Sequence, residues 1–184
     1  MKNLVKLLTL ILFLQACSDF DVEQFKAVYE ENCSESQSVS LEDIKAGATC
    51  NGVPLLFALV RADDYRINTD LHKIVRYLIN NRGFDLKHMG DKGLSLLQES
   101  LIHKRIKVAE LIVNENTPFI SKNNSNNNVL HTALDEISPR NREIVLKIAQ
   151  RFDGNLNEVN YDGESPLELA YNKEDGDIVF TLIS

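Results

Sequence analysis

Three cysteines and four histidines carry most of the reactive chemistry available to this 184-residue chain. A thiol can be acylated, cross-linked, used as a nucleophile or bound to metal. An imidazole can move protons or bind metal. Spacing narrows these choices. Cys33 and Cys50 stand 17 positions apart, so they are not a Cys-x-x-Cys redox pair. No histidine lies near either in sequence to complete a zinc site. His72, His88, His103 and His131 are scattered, with no metal-type spacing and no strained nucleophile turn beside them. Gly163-Glu164-Ser165 lacks the strand-turn-helix context of a nucleophile elbow, and no glycine-rich phosphate loop is present. These residues predict a protein that is not an enzyme and needs no cofactor, metal or small-molecule substrate.

Cys17 has a different setting. Lys2 and Lys6 precede an apolar run from Leu7 to Leu14, and Ala16 stands just before the cysteine. The run is too short to cross a bilayer, which takes roughly 20 apolar residues. Leu14-Gln15-Ala16-Cys17 resembles the lipobox of a bacterial lipoprotein signal peptide. The resemblance implies that residues 1–16 are removed and that Cys17 carries lipid. Ser18, in place of aspartate, implies sorting to the outer membrane, so the expected address is the periplasm, at its inner leaflet. In an exported chain the remaining pair, Cys33 and Cys50, suggests a disulfide across a polar segment, worth about 3 kcal/mol in the chain-entropy account. Two buried thiols are the alternative.

The chain has 20 Lys and Arg against 27 Asp and Glu. Without Lys2 and Lys6 the basic side chains number 18, so the mature net charge is −9. Residues 19–50 alone hold eight acids against Lys26 and Lys45. This balance disfavours nucleic acid and anionic lipid and suits a basic protein partner.

From residue 51 onward the sequence repeats. Gly52-Val53-Pro54-Leu55-Leu56, Gly93-Leu94-Ser95-Leu96-Leu97, Asn126-Asn127-Asn128-Val129-Leu130 and Gly163-Glu164-Ser165-Pro166-Leu167 open four segments. Their aligned leucines, Leu56, Leu97, Leu130 and Leu167, are 41, 33 and 37 positions apart. Each opening joins a turn former to residues that start a helix. A second apolar stripe follows at helical spacing: Ile74, Val75, Leu78 and Ile79; Val108, Leu111 and Ile112; Ile144, Val145, Ile148 and Ala149; Ile178, Val179, Leu182 and Ile183. Each unit is thus a pair of short helices that buries its apolar faces only in a stack. The extra residues of the first and third units fall near 61–70 and 138–141, between the paired helices. In residues 17–50, Val22, Phe25, Val28 and Tyr29 form another stripe. Ser40 and Gly47 bracket a second short helix, and the segment reads as a helical N-terminal cap or degenerate repeat.

This pattern resembles the ankyrin repeat, with its period of 33 and its Gly-x-Thr-Pro-Leu-His-x-Ala signature. Ser165-Pro166-Leu167 with Ala170 and Leu130-His131-Thr132-Ala133 match best. Asn126 replaces the leading glycine and tolerates left-handed backbone angles. The resemblance implies an all-α solenoid of about four repeats over 51–184. His131 would bond backbone rather than do chemistry. The resemblance also implies protein binding through the turn tips. Those tips are His88, Asp91, Lys92 and Leu94; Asn123, Asn124, Ser125 and Asn127; and Asn160, Tyr161, Asp162 and Glu164. Tyr161 is the expected anchor. The inserted Asp63, Asp64 and Tyr65 form a second patch. Short exported lipoproteins of this kind resemble immunity proteins that occlude toxins, including phospholipase effectors of type VI secretion. An envelope adaptor, an assembly or stress lipoprotein, and an accessory of a secreted enzyme are the alternatives.

Overall fold

The structure, a computed structural model, describes Cys33 and residues 49–62, 71–90, 92–115, 119 and 122–184. The expected signal segment, Cys17, the two cap helices expected before residue 49, Asp63, Asp64, Tyr65 and Asp91 lie outside the described residues.

A small hairpin leads into the stack. Strand β1 (Thr49–Cys50) pairs antiparallel with β2 (Val53–Pro54), with Cys50 opposite Val53. Asn51 and Gly52 join them at φ 53° and 77°. A two-residue hairpin loop with both residues left-handed is the type I′ pattern, and Asn-Gly is its preferred sequence. These strands depart from the all-helical expectation over two residues each. Cys50 is bonded to Cys33, with Cα atoms 4.9 Å apart and both side chains buried. The cross-link therefore ties the preceding segment to the hairpin that leads into the first helix.

Eight helices follow among the described residues. They are α1 (Leu55–Arg61), α2 (Leu71–Arg82), α3 (Leu96–Ile102), α4 (Ile106–Asn114), α5 (Val129–Asp135), α6 (Arg142–Arg151), α7 (Pro166–Asn172) and α8 (Gly176–Ile183). None is long and apolar enough to cross a membrane. Helices α1, α3, α5 and α7 pack in one row, and α2, α4, α6 and α8 in a second. Successive pairs, α1 with α2 through α7 with α8, join the rows. The first-row helices have seven residues each, too short to persist alone, so packing must hold them.

Local signals set where these helices start. Ser95 with Gln98, Asn128 with His131, and Ser165 with Glu168 form capping boxes at α3, α5 and α7. Pro166 adds its preset backbone angle in the first turn of α7. Leu56, Leu97 and Leu130, on first-row helices, are at most 4% exposed. Burial of each leucine contributes roughly 1.5–3 kcal/mol. Ala109, Ala133 and Ala170 are fully buried.

The insertion in the third repeat closes on itself. Asn141 is fully buried, and its Oδ1 accepts from Ser138 N and Oγ while its Nδ2 donates to Glu136 O.

Candidate protein-binding surface

Three turn tips project from the first row and share one construction. Gly90 N donates to Leu94 O, Asn123 N to Asn127 O, and Asn160 N to Glu164 O, each at 2.9 Å. Each turn needs one left-handed residue, supplied by Gly93 (φ 66°), Asn126 (φ 61°) and Gly163 (φ 81°). Asn126 thus takes the left-handed conformation expected of it.

The tips are bonded to one another as well. Asn124 N donates to Lys92 O at 3.2 Å, and Tyr161 N donates to Ser125 O at 3.1 Å. These bonds are equivalent under the repeat. Beneath them lies a second equivalent pair. Gln98 Nε2 donates to Asn127 O at 3.1 Å, and His131 Nε2 lies 3.1 Å from Glu164 O. His131 Nδ1 accepts from Asn128 N at 3.3 Å, so the ring is neutral and its proton sits on Nε2. Burial pushes the His131 pKa below its ordinary value. His131 accordingly bonds backbone on both sides.

The predicted tip residues divide into two groups. Leu94 is buried. Asn123 Oδ1 accepts from Ser125 N and Asn127 N, and Asn160 Oδ1 accepts from Asp162 N and Glu164 N. Asn160 is also buried, and its Nδ2 donates to Asn127 Oδ1 at 2.9 Å. These four residues, Leu94, Asn123, Asn127 and Asn160, build the turns. His88, Lys92, Asn124, Ser125, Tyr161, Asp162 and Glu164 are exposed along them. Tyr161 stands out at 79% exposure, on a backbone held by the Ser125 bond. The last tip is acidic, with Asp162 and Glu164 beside the ring. Among the described residues, no group of three or more His, Cys, Asp or Glu could hold a metal ion.

Sequence reasoning missed a second exposed region. Tyr171, Phe180 and Ile183 on α7 and α8 are 75%, 69% and 65% exposed. Tyr171 and Ile183 line one groove with Gly163 and Glu164 of the last tip.

No protein-family model matches the chain, and no curated protein does. Among solved structures, the chain is similar to the crystal structure of the ankyrin repeat domain of Bcl-3, described as a unique member of the IkappaB protein family. The identity is 22% and the TM-score 0.50, over 76% of this chain and 57% of that one. The chain therefore spans less than two thirds of that domain's length. The fold is an ankyrin-repeat solenoid.

Proposed function

We propose that the chain is a protein-binding module whose gripping edge is the row of turn tips, with Tyr161 as its anchor. One observation carries this reading: a largely exposed tyrosine, flanked by Asp162 and Glu164, stands on a turn bonded to the tip before it. A pre-ordered backbone reduces the ordering cost of binding, and tyrosine adds area with few rotatable bonds. The acidic flank favours a basic partner surface.

The finer reading rests on the sequence. With lipid on Cys17, the module would stand at the inner leaflet of the outer membrane as an immunity protein. It would occlude the catalytic mouth of a toxin, with a phospholipase effector of type VI secretion as the leading candidate. Anchoring would place the inhibitor beside the toxin's lipid substrate.

The test co-expresses the mature chain with the product of the adjacent gene. The expected result is a 1:1 complex in which the partner's activity is suppressed. Tyr161→Ala with Asp162→Ala should weaken it by about tenfold or more, the loss of one anchor residue. Absence of a complex, or a complex indifferent to those changes, would overturn the reading. Palmitate labelling that persists in Cys17→Ser would remove the anchor from it.

A further inference from the structure

Leu56, Leu97 and Leu130 are at most 4% exposed in the stack, but Leu167, at the same position in the last repeat, is only half-buried. Beside it lies a groove of about 610 Å³. Leu167, Tyr171, Val179 and Ile183 supply its apolar surface, Glu164 and Glu168 its charge, and no lysine or arginine lines it. Scattered exposed apolar residues are ordinary on a protein surface. A contiguous set rimmed by charge marks a contact.

We propose that this groove docks an amphipathic helix of a partner protein, with lysines or arginines flanking its apolar ridge. Three observations favour that occupant. The equivalent face of each earlier repeat is covered by helices, so the spacing suits a helix. The rim is acidic, and Glu168 stays ionised because Ser165 N and Oγ both donate to its Oε2, at 2.9 and 2.7 Å. A second copy would bring the same acidic rim, on a chain of net charge −7, against this one. The groove shares Glu164 with the last tip but does not include Tyr161 or Asp162, so Tyr161→Ala with Asp162→Ala tests the tip reading separately.

The probe is a hydrocarbon-stapled helical peptide with leucines at i, i+3, i+4 and i+7 and flanking lysines. A twin peptide carries glutamates instead. Binding to the intact chain is read by fluorescence anisotropy. The lysine peptide should bind about tenfold more tightly than its twin. Ile183→Glu should weaken it about tenfold, a tolerable change because this side chain is 65% exposed. Glu168→Gln should cut the lysine preference about threefold while keeping the helix start, since Gln98 closes the same capping box at α3. Tyr161→Ala should leave peptide binding unchanged. Equal affinity for the two peptides, no saturable binding, or indifference to Ile183→Glu would overturn the proposal. So would self-association of the chain by sedimentation that Ile183→Glu abolishes, because it would assign the groove to a second copy.

Discussion

The first junction of the stack and the two that follow solve the same problem with different chemistry. Between the second and third repeats, and between the third and fourth, a side-chain N–H at the third position of the helix bonds a carbonyl of the next tip. Gln98 does this at one junction and His131 at the other. At the first junction the equivalent residue is Phe57, which can donate nothing. Its ring instead fills the space beneath the next tip, edge-on to His88 with centroids 6.2 Å apart. The tip has adapted to it. Asn123 and Asn160 staple the later turns, but the corresponding residue is Gly90, where a Cβ would come within 2.8 Å of the Phe57 ring. The stack thus asks for either a filled volume or a satisfied carbonyl at this place. The two answers should fail differently.

Removing the filled volume should cost most. Phe57→Ala truncates a ring that is 2% exposed, and such losses run to about 3–5 kcal/mol. Gly90→Ala should destabilise by about 1–3 kcal/mol through overpacking against the same ring. In Phe57→Ala that clash is gone, so the two penalties should not add. Urea unfolding of the single and double variants measures this coupling. Simple additivity would show that Gly90 and Phe57 are independent.

The polar junctions should fail more gently and with a pH signature. His131→Ala takes the acceptor from the buried Asn128 N–H and removes one of the two donors to the Glu164 carbonyl, a loss of about 1–3 kcal/mol. His131→Gln should retain most of the stability at pH 7, because Gln98 already makes both bonds at the neighbouring junction. The two side chains part in acid. The folded-state pKa of His131 is depressed, so the unfolded chain takes up the proton first. Its stabilisation is complete above the unfolded value of about 6.5 and is lost as pH falls through the lower folded value. A protonated Nδ1 can no longer accept from Asn128. The stability difference between the native chain and His131→Gln should therefore shift toward the variant from pH 7 to pH 5. A difference independent of pH would show that the imidazole does not carry this bond.

How much of this was legible depended on whether a signal was periodic. The helix pairs, the leucine register, the left-handed Asn126 and the backbone-bonding His131 all follow from types at repeated spacing. The division of the tips did not. Asn123, Asn127 and Asn160 are as polar as Asn124, and only geometry shows their amides bonded within and between the turns. Leu94 reads as a tip residue by position, yet it turns inward. The two-residue strands are too short to show any period. The face around Leu167 and Ile183 carries the same apolar spacing as the buried stripes. Sequence pattern shows that a face is apolar, but not whether anything lies against it.

The smallest effect expected concerns the turns at the other end of the helices. The tips meet their left-handed positions with Gly93, Gly163 and Asn126, but the turns between paired helices meet theirs with Lys104 and Glu174, both at φ 56°. Lys104 N donates to Leu101 O, and Arg105 N donates to Ser100 O at 2.7 Å, closing a Schellman-type end to α3. Glu174 N donates to Tyr171 O at 3.1 Å in the matching place after α7. Neither bond requires a side chain at the left-handed residue. Lys104 also pairs with Glu136 in the next repeat, so changing it would mix two effects. Glu174 is exposed and gives the cleaner test. A left-handed L-residue costs about 1–2 kcal/mol, and glycine gives back about 0.5–1 kcal/mol through the entropy of the unfolded chain. Glu174→Gly should therefore stabilise by about 0.5–1 kcal/mol, seen as a rise in Tm of about 1–4 °C. A fall in Tm would mean that the Glu174 side chain contributes more than its backbone strain removes. The contrast between tips built on glycine or asparagine and inner turns built on Lys104 and Glu174 would then have a cause other than conformation.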